Sequence, residues 1–378
     1  MATRRSPGDS NRGSRTKVRY AVVGLGYIAQ SAVLPAFAHT KRCMLSALIS
    51  EDAVKLDHLS RQYGVEHQFS DYDSALLSGT FDAIYIALPN HLHCEYTVRA
   101  AEAGIHILCE KPMAITVSEC EKMLHAAETA GVKLMIAYRL HFEEANLRAV
   151  KIAAEGTLGE VRAMQSVFAI DVVPGNIRLE KELGGGSLYD VGIYCINAAR
   201  YLFRGEPIEV VAFTGNNGDP RFEETDEMTG AMLRFPEDRL AILLSSFGAQ
   251  ELSEFRIIGT KGNLRVEPAF DYAGNLTHHL TLDGKTTRKR FAKRDQFAPQ
   301  LTYFARCIQN GEEPEPNGHE GLLDVRIIEA LYASAASGSA VKLEPRNKPN
   351  RPSLGQEEQA PPVREKPELI HAAPPQPE

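Results

Sequence analysis

Three stretches of this 378-residue chain carry side chains whose types and spacing could do chemistry. Gly24-Leu25-Gly26-Tyr27-Ile28-Ala29 is a GxGxxA pattern. Its first glycine permits a tight turn, and its second lets the backbone approach a pyrophosphate. Ala29 is small enough for close helix–strand packing, so a helix N-terminus can face the phosphates. Cys109-Glu110-Lys111-Pro112 sets an ammonium just before a proline-led turn. The run Gly184-Gly185-Gly186-Ser187-Leu188-Tyr189-Asp190-Val191-Gly192-Ile193-Tyr194 reads as a glycine-rich helix start with Ser187 as its N-cap. Asp190 and Tyr194 stand four apart and share a face of that helix. Gly192 between them weakens a helix by about 1 kcal/mol, which points to close approach by a neighbour. From position alone, Lys111 equally suits a surface lysine, and Asp190 with Tyr194 a surface hydrogen-bonded pair.

These residues need elements to hold them. Val18–Gly24, Met44–Ser50, Phe81–Leu88, His106–Cys109 and Lys133–Tyr138 read as apolar strands. Helical patterns over Ala29–His39, Ala53–Tyr63, His93–Ala103 and Val117–Ala130 alternate with them. That order predicts a parallel sheet with helices on both faces, a Rossmann-type nucleotide-binding domain over 17–140. The carboxyl ends of such strands face the ligand crevice, which turns Lys111 toward the nicotinamide end of a bound dinucleotide.

After residue 140 the pattern changes to an α+β domain, 141–344, with a large and mostly antiparallel sheet. A helix (Phe142–Ala154) and a strand (Val161–Ile170) precede the glycine run and its helix, Ser187–Phe203. Strands follow at Glu209–Thr214, Thr229–Phe235, Leu240–Phe247, Phe255–Gly259 and Asn263–Glu267, with Gly259-Thr260-Lys261-Gly262 as a hairpin turn. Helices Gln296–Gln309 and His319–Ser337 complete the domain. One wide sheet with helices on one side needs cover for the other, which predicts a homo-oligomer, dimer or tetramer, packed sheet to sheet. Residues 1–16 are expected to be a disordered tail or an arm on a neighbouring subunit. Residues 345–378 hold nine of the 21 prolines and are expected to be disordered.

A net charge of -7 argues against attraction to nucleic acid or acidic membrane surfaces, and no apolar run has the roughly 20 residues of a membrane span. Arg4-Arg5 lacks the apolar run of an export signal, so a cytoplasmic location is expected. The six cysteines are scattered without a CxxC pair, and no metal site is expected; His91 and His93 read as a loop and a first helical turn. At the end of the second strand an acidic residue would favour NAD. Here stand Ser50 and, one turn on, Lys55, which suit a 2′-phosphate and favour NADP, while Glu51 and Asp52 favour NAD.

The segments GLGYIA, PNHLH, CEKP and GGGSLYDVGIY resemble those of the Gfo/Idh/MocA oxidoreductase family, especially its sugar oxidoreductases, from about Lys17 to Lys342. The resemblance implies that Lys111 contacts cofactor and substrate, that Asp190 holds a substrate hydroxyl, and that Tyr194 donates or accepts the proton. It sets Glu110 beside the cofactor, Ser50 and Lys55 at the 2′-phosphate, and Pro89, Asn90 and His93 along the nicotinamide half. Tyr138 and Arg139 would shape the substrate pocket, and the loop Asp171–Arg178, leading into the glycine run, is expected to add specificity through Arg178. The implied activity is hydride transfer between NADP and a hydroxyl or carbonyl carbon of a sugar or polyol, directly or from sugar to sugar with a cofactor that stays bound. A non-sugar substrate, or a nucleotide-sensing regulator on the same fold, are the alternatives. An ammonium about 4 Å from a phenol favours the phenolate by about 4 kcal/mol at an effective dielectric near 20, so Lys111 is suited to tune Tyr194.

Overall fold

A computed structural model describes residues 17–346, 348, 350–363 and 367–376. The alternating first third builds a parallel sheet in the order β3-β2-β1-β4-β5-β6. Its strands are β1 (Val18–Val23), β2 (Cys43–Ile49), β3 (His67–Phe69), β4 (Ala83–Ile86), β5 (His106–Cys109) and β6 (Leu134–Ile136). Successive side chains point to opposite faces, and both faces are buried along β1, β4, β5 and β6, which is why these strands are mostly apolar. Ala21, Val23, Ile84, Ile86 and Ile107 meet residues of the helices His93–Glu102 and Val117–Ala130. Tyr20, Val22, Tyr85 and Leu108 share the opposite core with Leu56 and Leu59 of the helix Ala53–Tyr63. The strand order reverses between β1 and β4, so a ligand crevice opens above their carboxyl ends. β3 and the helix Tyr72–Leu77 were not expected; they are too short to show a hydrophobic period.

The helix Phe297–Asn310, expected in the second domain, packs on this first sheet instead. Phe297, Leu301 and Phe304 join Tyr20 and Val22 in one core, and the Tyr20 hydroxyl donates to the Leu301 carbonyl at 3.2 Å. An amphipathic stripe tells that a helix covers a sheet, not which one.

The second sheet runs β14-β13-β12-β11-β7-β10-β9-β8-β15. The strands are β7 (Val161–Asp171), β8 (Glu209–Gly215), β9 (Met228–Phe235), β10 (Arg239–Ser246), β11 (Gly248–Gly259), β12 (Gly262–Val266), β13 (Leu276–Leu282), β14 (Lys285–Phe291) and β15 (Val341–Lys342). It is mostly antiparallel, with β7 and β10 the parallel pair. The hairpin at Gly259–Gly262 forms as read. β13 and β14 went unread: β14 carries Lys285, Arg288, Lys289 and Arg290 and is exposed up to Phe291, a charged edge without alternation. Among the described residues, no helix is long and apolar enough to cross a membrane.

The proline-rich segment after residue 345 does not behave as expected. Lys348 bonds to Glu315 and lies 2.5 Å from Glu320, Arg351 bonds to Glu206 at 2.6 Å, and Gln356 donates to the Glu315 carbonyl at 2.8 Å. Ala360 is buried in the core with Tyr20. Proline loses little backbone freedom on ordering, so a few well-paired side chains are enough to hold the segment. Residues 1–16, expected to be a tail or arm, lie outside the described residues.

Candidate active site

A cleft of about 1220 Å³ runs from the fingerprint turn, past the end of β2, to the start of the glycine-led helix. At its first end Gly24 takes φ +85°, and a Cβ there would lie 2.4 Å from the Ala87 carbonyl oxygen, so only glycine fits. At Gly26 a Cβ would meet nothing within 4 Å; the backbone faces open cleft, as a pyrophosphate requires. Tyr27 and Ile28 line the cleft, while Ala29 is buried against the sheet. The helical turn that follows is π-helical over Ala29–Val33.

Ser50, Glu51, Asp52 and Lys55 line the cleft where β2 ends. Asp52 caps the next helix, accepting from the N–H groups of Val54 and Lys55 at 3.0 and 3.1 Å. Its other oxygen lies 2.7 Å from His371 Nδ1. That carboxylate is committed to the helix end, which removes one of the two acidic residues that favoured NAD. These residues and the fingerprint turn fit a dinucleotide.

At the other end, Lys111 follows β5 and points into the cleft. Its ammonium donates to the Asp190 carboxylate at 2.8 Å and the Asp190 carbonyl at 3.0 Å. Arg178 Nε donates to the second Asp190 oxygen at 2.6 Å. These side chains are 12%, 18% and 28% exposed, so the cluster is sheltered but open on one side. Burial alone would raise the Asp190 carboxyl; Arg178 and Lys111 outweigh it and hold it well below the usual carboxylate range. Asp190 thus fixes two cations. Two of the three ammonium donors of Lys111 are engaged among the described residues, which leaves one for a ligand.

Tyr194 stands beside this cluster. The Lys111 ammonium lies 4.9 Å from its ring centre and the Arg139 guanidinium 5.0 Å. Arg139 is held by Gln296 and the Phe270 carbonyl and also covers Tyr272 at 5.2 Å. Phe168 meets the Tyr194 ring edge-on at 5.5 Å. The phenol therefore sits in an apolar frame with two cations in reach of its ring face. Phe168, Phe270 and Tyr272 were not anticipated, since they come from β7 and an irregular loop that no motif marks.

Gly184 anchors the junction. A Cβ there would strike Ile115 at 2.4 Å, and Asn90 donates to its carbonyl at 2.9 Å. Pro89 and Asn90 line the cleft as expected. Glu110 lines it too, accepting from the Tyr85 hydroxyl at 2.6 Å, and burial pushes its carboxyl up. Gly192 packs against Leu188 and Ser245, the close neighbours its presence pointed to.

Three expectations need correction. His93 does not face the cleft: it is fully buried, and its two ring nitrogens pair with the carbonyls of Pro112 and Leu88, tying two strand-end loops together. Tyr138 is buried beneath the cleft, stacked on His141 and turned toward Asp324. Ser187 makes no cap; its hydroxyl bonds to Asp226 and Ser245, and the helix opens as a π-turn over Leu188–Gly192. For His93 and Ser187 a polar group near the cleft found a buried partner that spacing cannot reveal. Among the described residues, no group of three or more His, Cys, Asp and Glu is arranged to hold a metal ion.

Known proteins share this architecture. Residues 18–138 match the oxidoreductase family with an NAD-binding Rossmann fold, and residues 146–265 match the GFO/IDH/MocA C-terminal domain. D-xylose 1-dehydrogenase [NADP(+)] of Haloarcula marismortui is 33% identical over 336 residues, covering 86% of this chain and 93% of that protein. The crystal structure of an aldose–aldose oxidoreductase from Caulobacter crescentus, complexed with glycerol, superposes with a TM-score of 0.83 at 39% identity, over 86% of this chain and all of that one. A mutant 3-ketoreductase from Actinomadura kijaniata, in complex with TDP-benzene and NADP, gives 0.78 at 26% identity, over 84% of this chain and 98% of that one. The Rossmann cleft, the lysine after β5 and the glycine-led Asp/Tyr helix are therefore parts of a known scaffold, and this chain belongs to the GFO/IDH/MocA family of oxidoreductases.

Proposed function

We propose that this chain is an NADP(H)-dependent oxidoreductase of a sugar or polyol, with Lys111, Asp190 and Tyr194 as its catalytic residues. The observation that carries this reading is the Lys111 ammonium, fixed by Asp190 with one donor left over, 4.9 Å from the Tyr194 ring at the end of a dinucleotide-sized cleft. Gly24, Gly26, Tyr27, Ile28, Pro89, Asn90 and Glu110 line the cofactor's path, with Ser50 and Lys55 at a 2′-phosphate. NADP+, when bound, supplies a hydride acceptor. The spare donor of Lys111 binds the substrate hydroxyl, and Tyr194 takes its proton as the carbinol becomes a carbonyl. Such acid–base help is worth about 10²–10⁴ in rate. Arg139 and Arg178 line the remaining pocket and donate to further hydroxyls. The relatives named for xylose and aldoses support a sugar, and the name of the aldose–aldose relative supports hydride passage between two sugars.

The outer face of the second sheet supports a homo-oligomer. Phe213, Met232, Ile242 and Leu244 are exposed side by side on β8, β9 and β10, Phe213 at 73%. A second copy of this sheet is the apolar partner of matching shape. The six free, buried thiols suit a reducing cytoplasm. The test is a screen of aldoses, ketoses and polyols against protein loaded with NADP+ or NAD+. Reduction by at least one aldose, faster with NADP+, is expected; inertness toward all of them would remove the sugar reading.

A further inference from the structure

Residues 367–376 touch both lips of the cleft, residues 350–363 are tied down beside it, and the cofactor reading gives them a purpose. At the near end of this segment Arg351 and Gln356 bond to Glu206 and Glu315, and Ala360 is buried in the core of the first domain. Its far end reaches the fingerprint turn. Gln30, 1% exposed and directly after the fingerprint, donates to the carbonyls of both Leu25 and Ile370, at 2.8 and 2.9 Å. The Ile370 N–H returns a bond to Gln30 Oε1 at 2.8 Å. His371 meets Asp52, two residues past Ser50, at 2.7 Å. Across the cleft, the N–H of Val173 in the second domain donates to the Pro375 carbonyl at 3.0 Å. Ala373, Pro374, Pro375 and Gln376 form part of the cleft wall.

We propose that this segment is a strap over the dinucleotide, fastened to the fingerprint turn on one lip and to Val173 on the other, which slows nucleotide release. It walls the site without filling it. With the strap in place the cleft still measures about 1220 Å³, more than the roughly 300–1,000 Å³ of ordinary small-molecule pockets. Paired prolines stiffen its far end, so little freedom is lost on closing. The aldose–aldose relative is matched over its whole length by 86% of this chain, so this chain holds segments which that structure lacks. The inference rests on reading the cleft as a dinucleotide site, and it makes the cofactor a resident group.

The test measures release. NADPH bound to the full chain is chased with excess NADP+, and its fluorescence is followed without any sugar present. Two variants are compared: the chain ending at Val363, which keeps the Arg351, Gln356 and Ala360 anchors, and Ile370→Pro, which removes the N–H donated to Gln30. Release at least tenfold faster in both is expected, with the unfolding midpoint unchanged. Equal release rates in all three proteins would overturn the strap. Slower release from the shortened chain would overturn it too, because the segment would then compete for the nucleotide's place. A strap-dependent release in a protein inert toward sugars would overturn only the sugar reading. A strap-independent release in a protein that oxidises sugars would do the reverse.

Discussion

One helical stretch, Leu188–Phe203, carries two clusters of charge, and their contrast separates chemistry from architecture. Near its start, Asp190 binds Lys111 and Arg178, all partly exposed to the cleft. Near its end, Arg200 bonds to Glu206 at 2.6 Å, Asp324 at 2.6 Å and Glu320 at 2.9 Å, with all four side chains 0–5% exposed. Arg200 engages Nε and both terminal nitrogens, and Asn197 adds donors to Glu320 and Asp324. Burial pushes Asp324 up to about 6, the strain of packing several carboxylates around few cations. The ion types are the same. Among the described residues, what makes the first cluster a site is a donor left over and an open side; the second has neither, and serves to lock the helix to Gly318–Ser337.

This contrast can be broken or sharpened. Lys111→Ala removes the cation with the spare donor. The expected loss in kcat is about 10²–10⁴, with NADP binding kept within a few-fold, as nucleotide titration and steady-state rates will show. Arg200→Met strips the buried carboxylates of their main partner. Breaking such a pair costs about 3–5 kcal/mol, so urea unfolding should show a loss of that size while the folded remainder keeps its kcat. If Arg200→Met instead abolished turnover at full stability, the two clusters would not differ in kind.

Asp190→Asn tests the first cluster's stability. The pair lies between exposed ones, worth about 0–1 kcal/mol, and buried ones, so a loss of about 2 kcal/mol is expected near neutrality. Its carboxyl is held below its unfolded value of about 3.9, so its contribution is fully present above that value and lost as pH falls through the folded one. Thermal unfolding of native and variant protein should differ equally from about pH 8 to about pH 5, and converge below about pH 4. A difference that vanished already near pH 6 would mean Asp190 is not ion-paired as described.

Much of this could be read from the residues, and the remainder failed for physical reasons. The fingerprint, the strand before Lys111 and the Asp190/Tyr194 spacing are local, so sequence alone placed them on the right elements. What surrounds them is not local. Arg178 reaches Asp190 from a loop, Arg139 reaches Tyr194 from the domain junction, and Phe168, Phe270 and Tyr272 come from β7 and an unpatterned turn. His93 and Tyr138 were misread because polar types near a cleft were given to it, when buried carbonyls hold the one and stacking on His141 buries the other. Proline content misled at the carboxyl end for a related reason: composition counts the apolar area a segment lacks, and misses the polar pairs that fasten it.

In the proposed reaction Tyr194, framed by Lys111 and Arg139, moves the proton while hydride leaves the sugar. The most direct measurement is a single turnover: NADP+-loaded protein is mixed with an aldose, and the absorbance of reduced nicotinamide is followed, for native protein and Tyr194→Phe. A fast rise is expected in the native protein and one slowed about a hundredfold or more in the variant, with equal nucleotide loading. Equal rates in the two would contradict it.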